Sequence, residues 1–232
     1  AVADLNNDGL QEIVAGNWGL NSKLQASTEK PLSLLVGDFD KNQKSECLIQ
    51  WYGPEDQKSS LFASKNDLTA QLPLIKKAAL KNAEYASKDI SDLLDESQLA
   101  LGQTSIVTNL NSSILWNRGG LRFDLAPLPD IAQFAPVYAI ALDDIDDDGY
   151  IDIVLGGNLY GLKPEIGRMD SSHGLVVKNN GNDSLTVLSK KQSGLNIKGE
   201  IRSIKPIDIV NSKKAFIFGV NNSNYRLFSV ED

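Results

Sequence analysis

The chain has 232 residues, and its 30 acidic and 23 basic residues give a formal net charge of −7. This length is enough to bury a substantial core in one large domain or two small ones. No basic stripe indicates nucleic-acid binding, and no apolar run approaches the length of a membrane span. The single cysteine, Cys47, excludes an internal disulfide. Because it stands at the start of a predicted strand, we expect it to be a small buried hydrophobe.

The acidic residues concentrate in three loops that share one register. Loop one reads DLNNDGLQE from Asp4, loop two reads DFDKNQKSE from Asp38, and loop three reads DIDDDGYID from Asp144. Each loop places oxygen-bearing side chains at positions 1, 3 and 5 and a carboxylate at position 9. Apolar residues with a β-branched bias follow each loop, which predicts a strand leaving it.

A hard cation such as calcium needs several oxygens that converge from a tight turn, with enough negative charge to offset dehydration. We therefore predict calcium at two to three sites, bound by the side chains at positions 1, 3, 5 and 9 and by the backbone carbonyl at position 7. Loop two is the weakest candidate, because Gln43 replaces the glycine that eases the turn in the other two loops. The predicted ligands are Asp4, Asn6, Asp8, Leu10 and Glu12; Asp38, Asp40, Asn42, Lys44 and Glu46; and Asp144, Asp146, Asp148, Tyr150 and Asp152.

Two other interpretations of these loops were weighed. An EF-hand begins in a similar way, but it places its bidentate acid at position 12 and has flanking helices. Position 12 here would be Ala15, Ile49 and Leu155, whose side chains cannot bind a metal, so the EF-hand is excluded. Solvated Asx-turns between strands remain the alternative. A matching register in three loops, with a strand after each, favours calcium.

A change of pattern predicts a helical insertion over residues 54–103, which are rich in Lys, Ala, Leu, Asp and Ser. Ser64 starts a sequence that resembles a capping box, and Pro73 is expected to break or kink the helix that follows. A second helical start is predicted at Ser87. The interrupted β-unit is expected to resume over residues 104–110 and to continue through 114–117 and 121–125. The apolar residues at near-helical spacing are Leu68, Leu72, Ile75 and Ala79, followed by Ile90, Leu93 and Leu94.

The C-terminal part of the chain predicts more β-structure. An Asn-Asn-Gly-Asn turn over residues 179–182 predicts a hairpin between strands at 175–178 and 184–188. A fourth unit near Asp208 has Val210, Ser212 and Phe216 where ligands would stand, so we expect it to keep the strand without the metal. The fold class is therefore all-β, with about four small sheets that need neighbours to bury their faces. Radial stacking into a β-propeller meets that need.

The loops, together with the I-V and G-N sequences that follow them, resemble the FG-GAP/VCBS repeat, the calcium-loop blade also found in integrin α-subunit propellers. Four longer runs, at residues 16–42, 61–77, 134–161 and 167–174, resemble large secreted repeat proteins of Bacteroidetes-type bacteria related to the cartilage-acidic-protein/UnbV family. The resemblance extends from Ala1 to about Leu188. Loop two, with Gln43-Lys44-Ser45, and the fourth unit depart from the repeat.

This resemblance implies a seven-bladed-type propeller, calcium in the loops, and export to the periplasm or cell surface. Because Ala1 lies in the middle of a unit, we expect residues 1–232 to be the C-terminal part of one such propeller, with the insertion at 54–103 inside a blade. The resemblance implies no reaction, since function does not follow from fold.

Catalytic groups are scarce. His173 is the only histidine, there is no G-x-S-x-G sequence, and no second histidine is present for a zinc site. A hydrogen-bonding role in a loop is the better prediction for His173. Glu165 and Asp170 were considered as a glycosidase pair, although their spacing in the sequence does not determine their separation. We predict no enzymatic activity.

Three functional hypotheses follow. The first is a calcium-stabilised extracellular or periplasmic interaction scaffold that binds a protein partner, for example as a subunit of an outer-membrane assembly. The second is a carbohydrate-binding propeller that stacks sugars on Trp18, Trp51, Tyr52 and Tyr160, although the sequence favours a role for these rings in filling gaps between blades. The third is a calcium-dependent lyase or hydrolase. The sequence favours the first.

Overall fold

The computed structural model describes residues 1–53, 58–164, 166–209 and 213–230, apart from the side chain of Lys213. The chain divides into two compact units: Ala1–Lys23 together with Asn111–Asp232, and Leu24–Leu110. The smaller unit is therefore inserted into the sequence of the larger one. Across the described residues the regular structure is mostly antiparallel sheet, which confirms the all-β fold class, and most of the helices lie in the smaller unit.

The described elements fall in the following order. The strands are β1 (Val2–Ala3), β2 (Glu12–Ala15), β3 (Leu32–Gly37), β4 (Glu46–Trp51), β5 (Ser60–Leu61), β6 (Gln103–Val107), β7 (Ser113–Asn117), β8 (Phe123–Pro127), β9 (Val137–Asp143), β10 (Asp152–Gly157), β11 (Leu175–Asn179), β12 (Leu185–Val187), β13 (Ile201–Ile209), β14 (Lys213–Val220) and β15 (Arg226–Ser229). The helices are α1 (Lys65–Gln71), α2 (Ile75–Ala78), α3 (Asn82–Ala86), α4 (Glu96–Leu99) and α5 (Lys190–Ser193), with short 3-10 helices at Ile90–Asp92 and Asp130–Gln133.

Four sheets result, and each acidic loop joins two adjacent strands of one of them. The loop-one sheet has the order β1-β2-β7-β8, the loop-two sheet β5-β4-β3-β6, and the loop-three sheet β12-β11-β10-β9. The C-terminal sheet has the order β13-β14-β15. The predicted hairpin between β11 and β12 is confirmed, with Val177 opposite Val187.

The fourth unit contains the predicted strands, β13 and β14. Of the three residues expected at its ligand positions, Val210 and Ser212 lie outside the described residues. Phe216 is buried in the core, at 5% exposure.

One expected connection was wrong. The strand after the insertion, β6, pairs with β3, with Leu35 opposite Thr104. The strands that follow do not continue that unit, because β7 pairs with β2, and Ile13 lies opposite Leu115. The chain therefore leaves the loop-one sheet after β2, builds the whole smaller unit, and returns at β7.

The larger unit buries its core between stacked sheets. Every residue of β10 is buried, and alternate side chains face opposite sides because the strand has a two-residue period. Ile153 packs in a cluster with Ile114 of the loop-one sheet. Val154 packs in another cluster with Ile201 and Phe218 of the C-terminal sheet. The loop-three sheet thus lies between the other two, and each such buried side chain contributes about 2 kcal/mol.

In the smaller unit the helical insertion covers one face of the loop-two sheet. The helix α1 begins after Ser64, whose hydroxyl accepts the Asp67 N–H, and it ends before Pro73, as predicted. The expected start at Ser87 was wrong: Ser87 ends α3, and Asp89 caps the next 3-10 helix. The predicted apolar residues Leu68, Leu72, Ile75, Ala79, Leu93 and Leu94 all pack with Leu35 and Leu48 of the sheet.

Cys47 is exposed, which contradicts the expected burial. The strand β4 alternates, so Glu46 and Leu48 are buried while Cys47 and Ile49 face outward. The register of the strand decides the outcome, because a shift of one residue exchanges the two faces.

Candidate metal centre

The three acidic loops close in the same way. The carboxylate at position 1 accepts hydrogen bonds from the backbone N–H groups at positions 5 and 6. In loop three, Asp144 Oδ1 lies 3.1 Å from the Asp148 amide nitrogen, and Asp144 Oδ2 lies 3.0 Å from that of Gly149. The side chain at position 5 accepts the N–H at position 7, at 2.7 Å in loop one, 2.8 Å in loop two and 3.0 Å in loop three.

The carboxylate at position 9 is buried in every loop. Glu12, Glu46 and Asp152 are 0%, 5% and 2% exposed. Each accepts the backbone N–H at position 2, at 2.8 Å, 3.1 Å and 3.1 Å respectively. A buried carboxylate is costly in its ionised form, so a cation bound beside these acids would stabilise them.

A left-handed backbone conformation explains why glycine stands at position 6 of loops one and three. Position 4 has a left-handed conformation in all three loops, with φ of 59° at Asn7, 60° at Lys41 and 57° at Asp147. Position 6 is also left-handed, and there loop two departs from the other loops, because Gln43 adopts a φ of 68° where glycine stands elsewhere. Loop two keeps the shared shape at the cost of strain in one residue.

Two of the loops bring three carboxylates together. Oxygen atoms of Asp38, Asp40 and Glu46 lie within 4.8 Å of one another, and the same holds for Asp144, Asp146 and Asp152. Among the described residues, loop one forms no such group, and it has Asn6 where the other loops have an aspartate at position 3. Hard oxygen donors on a tight turn fit a hard divalent cation, so the residues of loops two and three suit the predicted metal.

Lysines from neighbouring strands approach loop three. The Lys178 ammonium on β11 donates a hydrogen bond to Asp146 and lies 3.1 Å from Asp148 Oδ2. The Lys214 ammonium on β14 donates to the carbonyl of Asp144 and lies 2.6 Å from Asp147 Oδ1. Sequence analysis did not predict these contacts. The signal for them was the charge of loop three, where five of nine residues are acidic.

Titration behaviour differs between two acids of loop three. Burial raises the pKa of Asp152 above its usual value, although the Asn179 and Ile145 N–H groups oppose that shift. The Tyr150 N–H, followed by the Lys178 ammonium, lowers the pKa of Asp148. The site therefore combines a desolvated acid at position 9 with a well-solvated, hydrogen-bonded acid at position 5.

Asparagines link loops one and three to the next strand of their sheets. Asn179 at the end of β11 donates its N–H to Asp152 Oδ1 at 2.8 Å, and Asn117 at the end of β7 donates in the same way to Glu12 Oε1 at 3.4 Å. Asn179 Nδ2 also donates to the carbonyl of Leu5, and Asn7 Nδ2 donates to that of Gly149. Loops one and three are thus hydrogen-bonded neighbours. The signal for this was the recurring Asn-x-Gly at residues 117–119 and 179–181.

The four candidate aromatic rings all have partners within the chain. Trp18 Nε1 donates to Ser22 Oγ at 2.9 Å, and Trp51 makes an edge-to-face contact with Phe62. The Lys30 ammonium lies 5.9 Å from the Tyr52 ring centroid. The Arg168 guanidinium lies over one face of the Tyr160 ring, 3.7 Å from its centroid. These contacts favour packing roles over an open stacking platform.

His173 and Asp170 are the candidate catalytic groups that lie among the described residues. His173 lines a cavity of about 300 Å³, but its Nδ1 atom is buried and makes no hydrogen bond within the described part of the chain. Its backbone carbonyl accepts the Ile197 N–H. Asp170 forms an ion pair with Arg168 at 3.2 Å, and its proposed partner Glu165 lies outside the described residues.

A comparison with protein-family models, with curated proteins and with solved structures found no match for this chain. Within the described residues, no helix combines the length and the apolar character needed to cross a membrane. The support for the candidate metal centre is therefore its own geometry.

Proposed function

We propose that this protein is a calcium-stabilised interaction scaffold, exported to the periplasm or cell surface, whose acidic loops bind calcium at the ends of β-hairpins. The observation that carries the proposal is the shared closure of the three loops, with three carboxylates converging in loops two and three. Solvated Asx-turns would explain why the side chain at position 1 accepts backbone N–H groups. They would not explain why the acid at position 9 is buried in every loop.

The residues expected to bind the ion are the predicted ones in loop two (Asp38, Asp40, Asn42, Glu46 and the Lys44 carbonyl) and in loop three (Asp144, Asp146, Asp148, Asp152 and the Tyr150 carbonyl). Loop one, with Asp4, Asn6, Asp8, Glu12 and the Leu10 carbonyl, is the third candidate. The ion supplies positive charge that converts repulsion between carboxylates into a cross-link between two strand ends. Its role is stability, not catalysis.

The sheets are proposed to be blades of an FG-GAP/VCBS-type propeller. Supporting this, the loop-three sheet is covered on both faces by neighbouring sheets. Loops one and three each join an edge strand to its neighbour in a four-stranded sheet, whereas loop two joins the two central strands of its sheet. A scaffold also fits the absence of an assembled catalytic group among the described residues that were candidates. Calcium-rich extracellular fluid suits loops of this kind, which usually have weak affinity.

A thermal melt tests whether calcium binds and stabilises the protein. The full chain is melted in millimolar calcium, in EGTA, and in millimolar magnesium. At free calcium of 100 times the dissociation constant, each native-state site adds about 2.7 kcal/mol, which corresponds to a rise of roughly 5–10 °C for a chain of this size. We expect a rise that is specific to calcium, because magnesium demands stricter octahedral geometry.

Matched variants assign the rise to the loops. Asp38→Asn and Asp144→Asn keep the size of the side chain and one of its two acceptor oxygens and remove its charge, so each should abolish the part of the rise due to its own loop. An equal rise in the wild type and in the double variant would contradict binding at these loops. So would equal melting temperatures for the wild type in calcium and in EGTA.

The scaffold role is tested on the native protein. Isolated from its own cells in calcium, it should co-purify with a defined protein partner, and the complex should dissociate in EGTA. Purification of the protein alone under both conditions would contradict the scaffold. Deleting residues 54–103 is not an informative variant, because the helices there form the core over the loop-two sheet.

A further inference from the structure

The two carboxylate clusters carry different charge. Loop three has five acids and no base, whereas loop two has three acids and two lysines, Lys41 and Lys44. Repulsion between carboxylates that lie within 4.8 Å of one another grows with each added charge. Loop three therefore needs more positive charge from outside its own nine residues than loop two does.

The fold supplies that charge through Lys178. Its ammonium bridges the carboxylates at positions 3 and 5, donating to Asp146 and lying 3.1 Å from Asp148 Oδ2. These two contacts place the positive charge of the ammonium between the two carboxylates. Among the described residues, no lysine or arginine forms an ion pair with the carboxylates of loop two.

The position of Lys178 is set by strand register. Val177 lies opposite Ile153, the residue that follows position 9 of loop three, and Lys178 is the next residue on β11. In the loop-one sheet, Leu115 lies opposite Ile13, and the residue at the corresponding place is Trp116. The loop-one sheet therefore has a tryptophan where the loop-three sheet has this lysine.

We propose that Lys178 acts as a built-in counter-ion of loop three and determines how tightly that loop binds a divalent cation. A metal ion that uses Asp146 and Asp148 has to displace the ammonium from both carboxylates. Within the part of the chain that the structure describes, no lysine from outside loop two pairs with its carboxylates, so loop two binds the ion first. This inference rests on the proposed function, which supplies the calcium binding. What it adds is a ranking of the two loops by calcium affinity, and a single side chain causes that ranking.

Calorimetric titration with calcium chloride tests the proposal on the full chain. The variant is Lys178→Met, which keeps the length of the side chain and removes the ammonium. The matched control is Lys205→Met, which removes the same charge from an exposed lysine on β13. Adding Asp144→Asn or Asp38→Asn to each background assigns every binding event to loop three or loop two.

We expect Lys178→Met to bind calcium at loop three at least tenfold more tightly than the wild type does, while the affinity of loop two is unchanged. In EGTA the same variant should melt below Lys205→Met, because loop three has lost its counter-ion. Lys178→Gln, which keeps a polar side chain, provides the same comparison if the methionine variant does not fold.

Equal affinity at loop three in the wild type, Lys178→Met and Lys205→Met would overturn the inference. If loop two still bound calcium in that case, the proposed function would stand and only the role of Lys178 would fall. If none of these proteins bound calcium, the proposed function would fall as well.

Discussion

Loops two and three follow one backbone path but balance their negative charge differently. In both, the acid at position 1 accepts the same two N–H groups, and the acid at position 9 is buried. Loop three is surrounded by the ammonium groups of Lys178 and Lys214, whereas loop two carries a strained glutamine and no ion pair among the described residues. Hydrogen bonding sets the shape of the loop, and the surrounding strands set its electrostatics.

The shape of the turn and the identity of the cation beside it are two separate properties, although all three loops share one sequence motif. The motif specifies a turn that can bind a cation, because Asp at position 1 and a left-handed residue at position 6 close it. Whether the cation is a metal ion or a lysine from the next strand depends on residues far away in the sequence.

The largest effect is expected at the buried acid of loop two. Glu46→Ala leaves the buried Phe39 N–H without its acceptor and should lower the free energy of unfolding in EGTA by about 2–3 kcal/mol. Glu46→Gln keeps an acceptor, so it should recover most of that loss while losing the stabilisation by calcium. Urea denaturation of both variants measures this. Equal losses in EGTA would mean that the hydrogen bond is not what stabilises the loop.

Next in size is Lys214, which donates to the carbonyl of Asp144 and to Asp147 in loop three. Lys214→Met should lower the free energy of unfolding in EGTA by about 1 kcal/mol, since it removes charge-assisted hydrogen bonds. The control is Lys44→Met in loop two. This lysine is exposed, so its loss should change the free energy of unfolding by less than about 0.5 kcal/mol. Similar effects from both variants would erase the electrostatic difference between the loops.

A smaller effect concerns backbone strain at position 6. Gln43→Gly in loop two should raise the free energy of unfolding by about 0.5–1 kcal/mol, because glycine adopts a φ of 68° without a steric penalty. Gly149→Ala in loop three should lower it by a similar amount, and a Cβ there would meet no atom within 4 Å, so only the backbone is tested. Urea midpoints compare the two variants. Shifts of the same sign would contradict this account.

The smallest effect concerns Glu200, another acid that pairs with a cationic side chain, and the change with pH of its contribution to the free energy of unfolding. Glu200 accepts the side-chain N–H of Asn221 and the Tyr160 N–H and pairs with Arg202, and these contacts lower its pKa, the Asn221 bond most. A lowered folded pKa gives stability that is present above the unfolded value of 4.5 and is lost as pH falls through the folded pKa. The difference in urea midpoint between the wild type and Glu200→Gln should therefore shrink below about pH 4.5. A constant difference would refute this contribution.

The local structure was predictable to a large extent. Asp144, Gly149 and Asp152 already indicated a closed turn followed by a strand, since short-range hydrogen bonds and backbone preference decide such features. Ser64 and Pro73 likewise marked the beginning and the end of α1. What failed was the assignment of strands to sheets: residues 104–107 and 113–117 are near in sequence, but they belong to different sheets.

The sequence by itself determined the three loops, their register and the all-β class, because those depend on residues within a few positions of one another. Only the tertiary structure decided that Cys47 is exposed, that β7 returns to β2, and that Lys178 lies between Asp146 and Asp148. Each of these depends on strand register and on pairing between distant segments. A local pattern does not encode such pairing, which is fixed by the burial of the whole core.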